Sequence, residues 1–239
     1  GRGELKPAPL LHGIAARKSK GAGGGARLGR RGSVAAAGRV SRLAAQNGLA
    51  KLMPYFLALL FLLTVGMRFW ALGFISLDQD ETATGAWVHA QGLVDLYQNQ
   101  IRTPFEGNAF GYPAIIYFWG WFAREPEWLR ALSALAGVAT VFVFYFYYSR
   151  RLARVPVLLA TFLLSLSSAA LLLSQNARVY SLYGLAVFVS FLFFQQSLAE
   201  PNRKRWLVAY ALAGAVSLYF HHLAFLYLGS FWALGAWWV

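Results

Sequence analysis

Three carboxylates fall within four residues at Leu77-Asp78-Gln79-Asp80-Glu81. Set among apolar stretches, such a group is costly to keep unless water, a cation or a reacting hydroxyl makes use of it. Two uses suit it. Asp80 can cap the helix that follows while Glu81 favours that helix's positive end. A carboxylate there can also take a proton from an attacking hydroxyl as a general base. Neither use excludes the other. A cation able to hold an anionic leaving group stands at Arg178, in the turn Ser174-Gln175-Asn176-Ala177-Arg178-Val179-Tyr180. Its simpler role is to reach from a helix end to the membrane interface. His221 and His222 could contact a phosphate or a metal, or be ordinary interfacial residues. Adjacent positions put them on different faces of a helix, which argues against one ion held by both. Arg68 either pairs with a loop carboxylate or reaches to the interface. With no cysteine in the chain, thiolate metal sites and Cys nucleophiles are excluded.

These residues sit in a chain built for lipid. Of the 239 residues 58% are hydrophobic and 17% aromatic, while only 13% are charged, against about 25% in a soluble domain. That excludes a soluble enzyme, a disulfide-stapled domain or a disordered tail as the whole chain. Six apolar segments follow one another: 52–75, 128–148, 155–174, 179–198, 206–220 and 223–239. Most approach the roughly 20 residues that a helix needs to cross a bilayer. They lack the alternation of barrel strands, so the expected fold is all-α, a polytopic bundle of about six transmembrane helices.

Charge sets the sides. Seventeen of the 22 Lys and Arg lie in residues 1–51 or in the clusters Arg150, Arg151, Arg154 and Arg203, Lys204, Arg205, whereas seven of the nine acids lie in residues 76–127. The positive-inside rule makes the basic side cytoplasmic, with the N-terminus inside and residues 76–127 as the first external loop. Residues 1–51 hold eleven cations and one acid, Glu4, in a Gly-, Ala- and Arg-rich stretch. This reads as a basic disordered tail beside a membrane domain over residues 52–239. A solvated cytoplasmic tail, an anionic-lipid or nucleic-acid binder and a transit peptide all fit the tail's composition; the orientation signal favours the first, and no nucleic-acid partner is expected. The chain starts with Gly and stops at Val239 within an apolar run, which suggests the N-terminal portion of a longer protein.

The external loop is long enough to be functional. Thr82–Leu96 reads as one interfacial helix, with Trp87, Val88, Leu93 and Leu96 on its apolar side. Pro113–Phe122 is apolar but too short to span, and reads as a second interfacial or re-entrant helix.

The order of these features resembles the C-type integral-membrane glycosyltransferases, in particular the family of dolichyl-phosphate-mannose–protein mannosyltransferases and their bacterial relatives. Arg68 followed by Asp80-Glu81 is similar to that family's "R…DE" approach to its first external loop. Gly111-Tyr112-Pro113-Ala114-Ile115-Ile116-Tyr117 resembles "HPPLYY", with Tyr112 and Ala114 in place of His and the second Pro. Trp128-Leu129-Arg130-Ala131-Leu132-Ser133-Ala134-Leu135 resembles "ALRLPSAL", the Ser174–Tyr180 turn resembles "S-x-x-AR-x-Y", and Tyr219-Phe220-His221-His222 resembles "YTHY". The match spans about residues 55–239. Asp78-Gln79-Asp80 also looks like the DxD metal–nucleotide signature of soluble glycosyltransferases, but no βαβ unit or Gly-rich phosphate loop accompanies it.

The resemblance implies a hexosyl or pentosyl transferase that moves a sugar from a polyprenyl-phosphate donor to a protein, lipid or glycan acceptor on the non-cytoplasmic face. The membrane would be the bacterial plasma membrane or the endoplasmic reticulum. It implies Asp80 as base with Glu81 or Asp78 in support, and Arg178, with His221 and His222, at the donor phosphate. It fixes no cofactor, a divalent metal is compatible, and membrane lipids surround the chain. A fragment of such an enzyme need not be active by itself. The competing reading is a transporter or flippase-like protein without transferase activity. Such proteins carry ionisable groups at the membrane midplane, whereas here they gather in a loop and at span ends.

Overall fold

The computed structural model describes residues 51–74, 76–78, 81–102 and 109–238. The chain divides into two units, residues 1–54 and 55–239. The tail at 1–50, Asp80 and the stretch 103–108 lie outside the described residues.

The described residues form ten helices: α1 Lys51–Phe69, α2 Thr82–Val88, α3 Leu93–Arg102, α4 Gly111–Trp119, α5 Pro126–Tyr148, α6 Arg154–Leu166, α7 Ser168–Gln175, α8 Tyr180–Ala199, α9 Lys204–Phe220 and α10 Ala224–Trp238. Three of them, α1, α5 and α8, are long and apolar enough to cross a membrane. A fourth span arises if α6 and α7, bent by 50° at Ser167, count as one. That is the make-up of a multi-pass integral membrane protein. Leu62, Leu163, Leu212 and Trp232 are exposed, as lipid-facing side chains are when no lipid surrounds them.

Local chemistry accounts for the helix ends. Pro126 opens α5 at a position where its missing N–H breaks no bond. Ala71 ends α1 in the left-handed region, at φ 58°, a conformation that L side chains seldom adopt. The third apolar segment, expected as one helix, breaks because Ser167 leaves helical geometry and accepts the N–H of Ala170 as the cap of α7. The Thr82–Leu96 helix also divides, at His89–Gly92, so the 76–127 segment carries three short helices where two were expected.

Small and hydroxyl side chains mediate helix contact. Ser133, Ala134, Ala136 and Gly137 are buried on α5, which packs on α6, α7 and α8. Thr64 of α1 donates to Ser165 of α6 at 2.9 Å, and Ser165 donates to the Thr161 carbonyl at 2.8 Å. Hydroxyl bonds of this kind join helices where apolar burial supplies no drive.

The two ends of the 55–239 unit differ. At one, Arg151 donates to Gln196 at 2.6 Å and Tyr148 to Gln195 at 3.3 Å. These bonds bring the turn holding Arg150, Arg151 and Arg154 beside the end of α8, which leads into Arg203–Arg205. At the other end, α2 and α4 pack over the starts of α5 and α8 and the end of α9. Trp87, Val88, Leu96, Tyr112, Ile116, Leu129, Ala177, Val179 and Phe220 form the core there. Trp119 and Trp128 close the α4–α5 turn, stacked at 4.6 Å, each indole N–H donating to the other's carbonyl at 2.8 and 3.1 Å.

Candidate functional site

The acidic segment is fastened from below by an arginine. Glu81 is 1% exposed and Arg130, from the first turns of α5, is 6% exposed. They meet as a fork: Nε to Oε1 at 2.9 Å and Nη2 to Oε2 at 2.5 Å. The same guanidinium donates to the carbonyls of Leu72 at 2.7 Å and Ser76 at 3.1 Å. Arg130 thus gathers the chain between α1 and α2 onto α5. A guanidinium suits this because its donors are fixed in one plane.

Glu81 also reaches the turn that carries Arg178. Its Oε1 accepts the Ala177 N–H at 2.5 Å, while Thr84 donates to the Ala177 carbonyl at 2.7 Å. Ser133 donates to the Arg178 carbonyl at 3.0 Å. The turn is therefore held on both sides, by the acidic segment and by α5, next to the residue proposed to face an anion.

Asp78 and Glu81 cap one another. Asp78 Oδ1 accepts the Glu81 N–H at 2.8 Å, and Glu81 Oε2 accepts the Asp78 N–H at 3.2 Å. This is a reciprocal arrangement of the capping-box kind. The sequence assigns capping to Asp80, which lies outside the described residues; the described cap belongs to Asp78. Glu81 itself occupies the N-cap position of α2 but turns its side chain away to Arg130 and Ala177.

Burial pushes the Glu81 carboxyl up, but the bond from Arg130 and those from the Ala177 and Asp78 amides outweigh it and hold the group below the ordinary carboxylate range. A depressed carboxyl stabilises the fold at neutral pH and withdraws that contribution as the pH falls through its lowered value. Melting temperature in detergent is therefore expected to drop on acidification below about pH 4.3, the ordinary Glu value. Glu81→Gln should flatten that dependence. An equal slope in both proteins would assign the acid sensitivity to other carboxylates.

The histidines are not on a helix. α9 stops at Phe220, and His221 is extended at φ −154° and ψ 128°. The Ala109 N–H donates to the Phe220 carbonyl at 3.3 Å, tying this end of α9 to the start of α4. The expectation of opposite helix faces therefore fails: the two rings lie 4.9 Å apart. His221 is 7% exposed and packs against Tyr183 at 5.3 Å and Tyr180 at 6.4 Å. Burial, then the neighbouring His222 and Arg178, lower its pKa and favour the neutral ring. Its Nδ1 accepts the Leu223 N–H at 3.1 Å, which leaves the proton on Nε2 as a donor. Arg178 lies over Tyr180, 5.7 Å from the ring centre. The structure thus gathers Arg178, His221 and His222, and holds Asp78 and Glu81 beside the same turn. Among the described residues no three His, Asp or Glu side chains converge to hold a metal.

Sequence reasoning missed the role of Arg130. Its signal was present, since an arginine in the first turns of an otherwise apolar helix marks a charge that needs a partner. It also missed Tyr183, whose type alone does not set it apart among twelve tyrosines. Compared with known protein families, characterised proteins and solved structures, the chain matches none.

Proposed function

We propose that the chain is the membrane portion of a glycosyltransferase that uses a polyprenyl-phosphate-linked sugar. In this reading α9 and α10 also cross the bilayer, giving six spans, and α2, α3 and α4 lie along the non-cytoplasmic surface. The N-terminus is cytoplasmic, in the bacterial plasma membrane or the endoplasmic reticulum. The observation that carries the reading is the Glu81–Ala177 bond. It joins the acidic segment to the turn bearing Arg178, and transfer from a lipid phosphate needs a base and an anion-binding cation side by side.

The reaction then runs as a displacement. Asp80 takes the proton of the acceptor hydroxyl, whose oxygen bonds to the anomeric carbon. The bond from that carbon to the phosphate oxygen breaks, and the phosphate leaves on its lipid with the electron pair. Arg178 offsets the charge gathering on that phosphate, with the His221 Nε2–H as a neutral donor nearby. Glu81 and Asp78 position the segment. Phosphate needs little protonation to depart, so one carboxylate suffices.

The test uses the full-length protein in liposomes holding a polyprenyl-phosphate sugar in one leaflet. A transferase yields glycosylated acceptor and free polyprenyl phosphate. Movement of intact donor to the other leaflet, with the sugar still attached, would instead establish the flippase-like alternative.

A further inference from the structure

Arg68 fits neither role that its sequence position suggests. It does not reach the interface, for it is 1% exposed. It forms no ion pair among the described residues. Its Nη1 makes long bonds to the carbonyls of Thr64 at 3.4 Å and Ser165 at 3.3 Å. Its Nε is buried and finds no acceptor. A guanidinium cannot shed its proton to escape this situation. A charge buried within a membrane helix bundle without a counter-charge is strongly unfavourable.

The residue lines a half-open cavity of about 170 Å³ between α1, α5, α6, α7 and α8. Thr140, Ser174, Tyr180 and Ser181 are among its mostly apolar lining, and the Thr140, Ser174 and Ser181 hydroxyls now donate to the carbonyls of Ala136, Ala170 and Leu173. Hydroxyl protons rotate to suit a new acceptor. Two glycines line it. A Cβ at Gly137 would collide with the Ser174 Oγ and would press on Arg68 Nε at 3.0 Å, so glycine is what lets α7 and the guanidinium lie against α5. Gly184 lines the cavity from α8, and a Cβ there would meet nothing within 4 Å. At about 30 Å³ of liquid volume per water, the cavity has room for a phosphate group but not for a lipid chain.

We infer that this cavity is a phosphate-binding site, in which Arg68 and the surrounding hydroxyls hold the oxyanion of a phosphate ester or a free phosphate. The phosphate supplies the charge that Arg68 lacks, and the hydroxyls take up its remaining oxygens. The site is centred on Arg68 and shares Tyr180 with the cluster of Arg178 and His221, and it does not rest on sugar transfer.

The experiment follows melting of the full-length protein in neutral detergent by tryptophan fluorescence, with increasing inorganic phosphate or dodecyl phosphate. A saturable rise in melting temperature is expected. A rise with both compounds assigns a free-ion site, and a rise with dodecyl phosphate alone assigns a lipid headgroup. In Arg68→Met the apparent affinity should fall at least about tenfold. That variant should also melt no lower than the wild type without phosphate, because it removes an uncompensated charge. Gly184→Leu fills the cavity without altering the guanidinium and should abolish the rise as well. It decides the matter if Arg68→Met does not fold. Absence of any rise in the wild type overturns the inference. So does a rise that persists in the folded variants, or an Arg68→Met protein that melts lower while keeping its phosphate response.

Discussion

Glu81→Ala is expected to destabilise the protein by about 3–5 kcal/mol, the usual cost of breaking a buried ion pair by removing one member. The variant removes the carboxylate from the buried Arg130 guanidinium and leaves it donating to neutral carbonyls such as those of Leu72 and Ser76. It also strips the Ala177 N–H of its acceptor. Three stretches of chain that meet at Glu81 would loosen together: the end of α1, the start of α2 and the Arg178 turn. Arg130→Lys should lose much of the same stability, since an ammonium cannot make the fork or reach both carbonyls at once. The double variant Glu81→Leu, Arg130→Leu should recover part of the loss, because both desolvation costs vanish with the charges. Unfolding in detergent, followed by tryptophan fluorescence, measures all three. A loss below about 1 kcal/mol for Glu81→Ala would place the pair among exposed, solvent-screened ones.

That pair also marks how far the sequence could be read. The apolar runs behind α1, α5 and α8 are long, and they point directly to spans because lipid demands uninterrupted apolar length. The separation of acids from cations was equally legible, and the structure sets the acidic segment and the basic turns at opposite ends of the 55–239 unit. The bend at Ser167 was not legible. Leu164-Ser165-Leu166-Ser167-Ser168 carries three serines, but hydropathy does not record which of them turns its oxygen back as a cap. The break at His89–Gly92 was signalled by Gly92, but the apolar spacing from Trp87 to Leu96 masked it. In the site, residue types were legible and pairings were not. Glu81 and Arg130 are 49 positions apart and Glu81 and Ala177 are 96, so no local spacing couples them. The histidines were misjudged because helical spacing was extended two residues past the true end of α9.

Asp80→Asn, in the full-length protein, is expected to slow sugar transfer by about 10²–10⁴-fold, the usual cost of losing a general base. Asparagine keeps the shape of aspartate and caps a helix equally well, so the change removes basicity and little else. The described neighbours reinforce that separation. Glu81 is committed to Arg130 and Ala177, Asp78 holds the Glu81 N–H with one oxygen, and the proposed base is Asp80. Asp78→Asn should therefore retain most of the activity. Arg178→Ala should weaken use of the lipid-phosphate donor, and Arg178→Lys should restore only part of it.

The most direct measurement is the single-turnover rate of sugar transfer from a polyprenyl-phosphate donor in nanodiscs. It compares wild type, Asp78→Asn and Asp80→Asn at matched melting temperature. The account predicts transfer by the wild type, near-normal transfer by Asp78→Asn, and a loss of about 10²–10⁴-fold in Asp80→Asn. Transfer by a well-folded Asp80→Asn at the wild-type rate, or no transfer by the intact wild type, would contradict it.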